Sequence, residues 1–391
     1  MIKPRQLHAG VAKWEKRTCQ LLGQPSAPVL CGPRKYPYQV AQNATRTYHV
    51  SRSIREPVYK PQQLTTKGLA QFTTNSHANV HAAPSEPVIH PVFEANTGTW
   101  QYVVADPSTN EAVIIDPVLD YDASTCTAST HTADNLLALI HSHSYTVDRI
   151  LETHAHADHL TAAAYLQLKL GAAQAHRNHR PPLICIGRRI GIVQTLFGQR
   201  YGVPADERAE SAFDTLLDDD EQFVVGRALR VTALHLPGHT PDHLGYMFGG
   251  AHVFCGDSLF HPDIGSARCD FPGGSVRDLY ASARRLLALP AAVRIWPGHD
   301  YPPPPPHSRE PVSWATVVDH RRENRHLRDG ISEEEFVTMR GERDARLGAP
   351  RLLHQALQMN IRAGRLPRPT PGFGDRLLHV PMRLGPGVGE W

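Results

Sequence analysis

The sequence predicts an α/β protein, and three observations carry that expectation. From residue 87 to residue 297, short apolar runs of strand length alternate with segments whose apolar residues recur at helical spacing. The residues best suited to hold a metal each stand just past one of those apolar runs, in the loop positions where a rigid scaffold presents functional groups. No short-period repeat competes with the alternation, and no stretch nears the ~18 consecutive apolar residues of a membrane span.

The elements follow in order. Residues 88–94 and 100–105 read as strands, and Asp106-Pro-Ser-Thr-Asn110 between 105 and the next run is turn chemistry. Residues 112–115 form a buried strand that ends at Asp116-Pro117, and 132–143 carry helical periodicity. A strand over 147–152 runs into Thr153-His154-Ala155-His156-Ala157-Asp158-His159, after which helical spacing resumes over 160–170. The segments 178–182 and 187–201 read as insertion-prone, with no role assigned. A strand over 230–234 leads to Leu236-Pro-Gly-His239-Thr-Pro, another to Phe254-Cys-Gly-Asp257, and a third to Trp296-Pro-Gly-His299-Asp300-Tyr301. The five prolines 302–306 predict a stiff loop, 332–346 a charged helix, and the tail after Pro367 irregular structure. Domain boundaries are expected at 85 and 300: an extension over 1–85, a catalytic domain over 86–300 and a helical C-terminal extension over 301–391 packed on the core.

Charge separates the extension from the body. The first 85 residues carry twelve Lys and Arg but only two acids, Glu15 and Glu56, in a chain whose total is 41 bases against 38 acids, so the body is net acidic. A nucleic-acid binder needs its basic surface on the folded body, which excludes that class here. Eight prolines, the absence of Asp and a richness in Lys, Arg, Ser, Thr and Gln predict that most of 1–85 stays disordered. Leu7, Val11, Trp14, Thr18 and Leu22 recur at steps of four and three with Lys13, Lys16 and Arg17 on other faces, the pattern of a mitochondrial presequence. The expected compartment is the mitochondrial matrix, with the cytoplasm as the alternative. Six cysteines without a C-x-x-C pair exclude a disulfide scaffold or a thiolate zinc site.

Four candidate ligands within six positions, His154, His156, Asp158 and His159, predict a metal, and imidazole with carboxylate suits zinc, iron or manganese. One loop cannot close the coordination sphere, and His239, Asp257 and His299 supply the further ligands. Asp257 is able either to bridge two ions or to anchor one.

These motifs resemble the metallo-β-lactamase superfamily, which implies an αββα sandwich with metals in the cleft between the sheet edges. Within it, Asp263-Ile-Gly-Ser-Ala-Arg268-Cys269-Asp270-Phe271-Pro-Gly-Gly, Leu279-Tyr280 and His299-Asp300-Tyr301 resemble the persulfide dioxygenases. The C-terminal stretches 317–324, Glu335-Phe336-Val with Arg340 and Arg343-Asp344, and Asn360-Ile361-Arg362-Ala-Gly-Arg-Leu-Pro367 resemble their bacterial-type branch. The resemblance implies one Fe(II) per chain held by His154, His239 and Asp257, with His156, Asp158, His159 and His299 orienting ligands and water or holding a second metal. It implies glutathione persulfide and O2 as substrates and sulfite with glutathione as products, with Arg268 and Tyr301 touching substrate and Asp116 bracing the metal loop. The alternative is a dinuclear zinc hydrolase of glutathione thioesters, like glyoxalase II. No membrane partner is expected, and a homodimer is compatible. Asp242-His243 departs from the usual small or apolar residues, so His243 sits either at the cleft or on a surface turn. Cys269 is expected to be a buried structural thiol.

Overall fold

A computed structural model describes residues 86–208, 212–303 and 308–382. The basic extension and its presequence pattern lie outside the described residues, as do 304–307 of the proline loop. In chain order the elements are β1 (Val88–Glu94), β2 (Thr99–Ala105), β3 (Glu111–Ile115), β4 (Val118–Asp122), β5 (Thr127–Ser129), α1 (His131–Ser142), β6 (Thr146–Leu151), β7 (Leu160–Thr161), α2 (Ala163–Ala175), β8 (Leu183–Gly187) and α3 (Ile190–Tyr201). There follow β9 (Thr215–Leu217), β10 (Gln222–Val225), β11 (Leu229–His235), β12 (Leu244–Phe248), β13 (His252–Gly256), α4 (Val276–Leu287), β14 (Arg294–Pro297), β15 (Ala315–Thr316), α5 (Val317–Glu323), α6 (Glu333–Asp344) and α7 (Leu353–Asn360).

Two six-stranded sheets form, in the orders β1-β2-β3-β6-β8-β9 and β10-β11-β12-β13-β14-β15, with β5-β4-β7 as a small third sheet. The two-residue period of a strand sends alternate side chains to opposite faces. In β2 and β3, Tyr102, Val104, Val113 and Ile115 point into the core between the sheets, where they meet Val231, Tyr246, Phe254 and Trp296 of the second sheet. Their neighbours Val103, Ala105, Ala112 and Ile114 face outward beneath α1, α2, α3 and α7. The second sheet alternates the same way: Val253, Cys255 and Ile295 turn out to meet Leu279, Ala283 and Leu286 of α4, Val317 of α5 and Phe336 of α6. The result is an αββα sandwich. Each fully buried side chain of the size of Phe254 contributes about 1.5–3 kcal/mol, which is what holds the two sheets at a defined separation.

The C-terminal helices divide between the two faces, α6 packing on α4 and α7 on β7 and α3. Capping boxes start α5 (Thr316 with Asp319) and α6 (Ser332 with Glu335). Helical spacing from residue 160 overstates α2, which begins at Ala163. The backbone of Leu160 and Thr161 pairs instead with Leu119 and Val118, and the Thr161 hydroxyl accepts the Ala163 N–H at 3.0 Å at the start of the helix. Among the described residues no helix is long and apolar enough to cross a membrane.

Candidate metal centre

Loops from both sheets build the centre. His154, His156, Asp158 and His159 follow β6 of the first sheet, whereas His239, Asp257 and His299 follow β11, β13 and β14 of the second. All seven residues named from the sequence come together, and all but Asp158 are buried. Ligand atoms of His154, His239 and Asp257 lie within 4.8 Å of one another, and those of His156, Asp158 and His159 form a second such group. His299 joins the groups, with Nε2 3.3 Å from Asp158 Oδ2 and 3.6 Å from Asp257 Oδ1. Asp257 presents its other oxygen 3.6 Å from His239 Nε2.

Each imidazole is oriented from behind. His239 Nδ1 lies 2.7 Å from the Arg268 carbonyl and His299 Nδ1 3.2 Å from that of Gly98, so both rings donate there and turn Nε2 toward the cluster. The Thr153 hydroxyl donates to Asp116 Oδ2 at 2.8 Å and is 3.0 Å from His154 Nδ1, which puts the His154 proton on Nδ1. His156 Nε2 stands 3.0 Å from Asp116 Oδ1 and 3.5 Å from Glu152 Oε2. His154 Nε2, His156 Nδ1, His159 Nε2 and Asp257 Oδ1 are buried with no hydrogen-bond partner. An unsatisfied buried polar atom costs about 1–3 kcal/mol, so four in one cluster, all imidazole or carboxylate, fit a bound cation of the zinc, iron or manganese type.

The electrostatics agree. Burial and the surrounding histidines push His154 well below the ordinary histidine range, toward the neutral form a metal requires. Burial opposes the charge of Asp158, yet His299 and His159 hold its carboxyl far below the usual range. His156 and His299 are the exceptions: burial lowers both, but Asp116 and Glu152 outweigh it at His156, and Asp257 and Asp158 at His299, so both are raised.

Three buried side chains brace the metal loop. Asp116, held at φ +49°, accepts the Thr153 N–H at 2.7 Å. Asp242 accepts the Ala155 N–H at 3.0 Å. Asn360, at the end of α7, donates from Nδ2 to the carbonyls of His156 and His159, each at 2.8 Å, and accepts the Thr161 N–H on Oδ1 at 2.8 Å. His243 is no surface residue: its ring stacks on His154 with centroids 4.9 Å apart, and its Nε2 accepts the Asp257 N–H at 2.9 Å. Gly256, at φ +48°, leaves room for this, since a Cβ there would lie 2.8 Å from His243 Nε2. Sequence reasoning singled out Asp242-His243 as a departure and Asn360 as part of a motif but gave neither a role.

Two cavities reach the cluster. One, of about 290 Å³, is lined by Asp158, His239 and Asp257 together with Arg268, Tyr301 and Phe260. Tyr301 stacks on His299 with centroids 5.5 Å apart, and Phe260 meets the same imidazole edge-on at 6.0 Å. Arg268 donates from Nε and Nη2 to the carboxylate of Asp270, and from Nη1 to the Gly348 carbonyl at 2.9 Å. The other cavity, about 600 Å³, touches His159 and is bordered by Glu94, Asp120 and Asp122. Cys269 is buried in the apolar layer beneath α4, and burial pushes its thiol up to about 12.

The Metallo-beta-lactamase superfamily model matches residues 96–299. A probable metallo-hydrolase of Burkholderia pseudomallei is 42% identical over 300 residues, covering 74% of this chain and 97% of the relative. Glyoxylase B2 of Dictyostelium discoideum is 39% identical over 298 residues, 75% of this chain and 96% of that protein. The mitochondrial persulfide dioxygenase ETHE1 of Homo sapiens is 28% identical over 280 residues, 71% and 89% of the two chains. Among solved structures, ETHE1 from Myxococcus xanthus superposes with a TM-score of 0.54 at 26% identity, covering 71% of this chain and 100% of that one.

Proposed function

This chain belongs to the metallo-beta-lactamase superfamily, and from that membership we propose that it is an iron-dependent persulfide dioxygenase that converts glutathione persulfide and O2 to sulfite and glutathione. The observation that carries the proposal is the two-histidine, one-carboxylate set of His154, His239 and Asp257, whose ligand atoms converge within 4.8 Å and of which His239 and Asp257 line the smaller cavity. Likeness to persulfide dioxygenases in sequence and to an ETHE1 structure in fold supports it.

Such a set would hold a ferrous ion by three ligands, and the ion would supply redox chemistry and open positions for O2 and a sulfur ligand side by side. The remaining work falls to the chain. The Arg268 carbonyl and Thr153 hydroxyl fix the ring tautomers, and His243 fixes the Asp257 backbone, so the three ligands keep their geometry without reorganising. Asp158 and His299, 3.3 Å apart, form a pair able to hold the proton that a persulfide loses. Phe260 and Tyr301 cover His299 and keep water from it.

A second reading has its own observation. His156, Asp158 and His159 form a second ligand group beside the first, as a dinuclear hydrolase of glutathione thioesters requires, and the more similar relatives carry the names metallo-hydrolase and glyoxylase. Metal analysis of the purified full-length protein, with oxygen uptake on glutathione persulfide and cleavage of a glutathione thioester, separates the two. One iron per chain with sulfite released in step with oxygen uptake is expected. Two zinc ions per chain and oxygen-independent thioester cleavage would replace the dioxygenase with the hydrolase.

A further inference from the structure

We infer that Arg343, with Arg340 one turn before it on α6, forms an anion subsite in the wall of the smaller cavity that takes a carboxylate of the sulfur substrate. The inference rests on the reading of that cavity as the substrate site.

Three arginines, Arg268, Arg340 and Arg343, line the cavity, and the chain itself neutralises two of them. Arg268 is taken by Asp270. Arg340 is buried, pairs with Asp344 at 2.5 Å and donates to the Ser266 carbonyl at 3.3 Å. Asp344 is the one carboxylate acting on Arg343 as well, but its Oδ2 accepts the Cys269 N–H at 2.8 Å and its Oδ1, which has no hydrogen-bond partner, lies 2.5 Å from Arg340 Nη2.

The nearest polar side-chain contact of Arg343 is His326 Nε2 at 3.5 Å. His326 Nδ1 accepts the Ser266 N–H at 3.1 Å, so the neutral ring carries its proton on Nε2, and the guanidinium faces a donor. That ring stays neutral because burial, together with Arg343, Arg340 and Arg325, pushes it down to about 4. Burial and the same arginine neighbours also disfavour the charge of Arg343 itself. Beside it, Arg340 Nε is buried without an acceptor. One wall of the cavity thus holds a surplus positive charge and unpaired N–H donors, the complement of a carboxylate. The larger cavity, bordered by Glu94, Asp120 and Asp122, has the opposite sign. Because α6 lies beyond residues 96–299, the subsite is supplied by the C-terminal segment rather than by the matched family domain.

The test uses the full-length, metal-loaded protein. Calorimetric titration with glutathione reads the subsite whether or not turnover occurs. Arg343→Ala is expected to weaken glutathione binding about tenfold or more, and Arg343→Lys to recover part of the loss. With glutathione persulfide, KM is expected to rise by a similar factor while kcat stays within about twofold and metal content is unchanged. An uncharged alkyl persulfide should show the same KM in parent and variant. Equal glutathione affinity in parent and Arg343→Ala, no binding by the parent, or an equal rise in KM for the uncharged persulfide overturns the subsite. Arg343-dependent glutathione binding without oxygen uptake upholds the subsite and overturns the dioxygenase reading alone.

Discussion

Replacing Asn360 by alanine leaves the carbonyls of His156 and His159 and the N–H of Thr161 without their partners in a buried site. At about 1–3 kcal/mol for each unsatisfied buried group, less what an entering water restores, the loss is about 3–5 kcal/mol. That is a large share of a typical stability of about 5–15 kcal/mol. With about 2–4 °C per kcal/mol for a domain of this size class, the melting temperature should fall by roughly 10 °C. Asn360→Asp retains an oxygen for the Thr161 N–H but sets a second carboxylate oxygen against two carbonyls, so its loss should be at least as great. Asn360 touches the backbone of His156 and His159, not of His154, His239 or Asp257, so a metal on the latter set should be retained. Thermal denaturation and metal analysis of both variants make the measurement. A melting temperature for Asn360→Ala within about 2 °C of the parent, or an Asn360→Asp more stable than Asn360→Ala, would refute the assignment of Nδ2 and Oδ1 on which the reasoning depends.

Further outcomes follow from other contacts. His154→Ala, His239→Ala and Asp257→Ala should each lose iron, whereas His299→Ala should keep it and lose about 10–100-fold in activity; loss of one of two metals in the His299 variant would favour the hydrolase. Asp263 is held at about 2, against an ordinary 3.8, because Arg309 and His261 outweigh the burial that opposes its charge. Its folded value is depressed, so its contribution is complete above 3.8 and lost as pH falls toward about 2. Asp263→Asn should therefore be less stable than the parent near neutral pH and converge with it across that window in acid unfolding, and a gap that persists at the acid end would contradict the pairing. Burial pushes the thiols of Cys185, Cys255 and Cys269 up to about 12, whereas Cys126 is exposed. Among the described cysteines, alkylation of the native protein should mark Cys126 alone by peptide mass spectrometry, and labelling of Cys269 would contradict its role as a buried structural thiol.

The strands and the metal ligands were legible because both are local signals. The short apolar runs at 100–105 and 112–115 mark strands buried on both faces, though not which face meets the other sheet, and the dense H-x-H-x-D-H string after a strand has few other readings. What stayed hidden depends on chain segments that meet only in three dimensions. Asn360 stands about two hundred positions from the carbonyls it holds, and nothing within a turn of α7 reveals them. His243 was visible as an odd residue, but its burial follows from the position of β12 beside the β6 loop, where Leu244 N–H donates to the Thr153 carbonyl at 2.8 Å. Leu160 and Thr161 carry helical spacing and still pair as a strand, because Val118 and Leu119 offer an edge no local pattern discloses. Arg268, expected at the substrate, does line the smaller cavity, while Asp270, two residues on, takes two of its donors.

The two sheets contribute ligands to one cluster, and that makes metal affinity and sheet separation reciprocal quantities. An ion gripping His154 from one sheet and His239 and Asp257 from the other acts as a crosslink whose span is set by the packing of Tyr102, Tyr246, Phe254 and Trp296 between them. Whatever loosens that packing must weaken the grip by the same free energy that the ion contributes to keeping the sheets together. Shortening Phe254 should therefore lower metal affinity from within the core, without touching a ligand. Removing the metal should in turn quicken amide exchange along β6 and β13, the strands that carry the cluster from opposite sides.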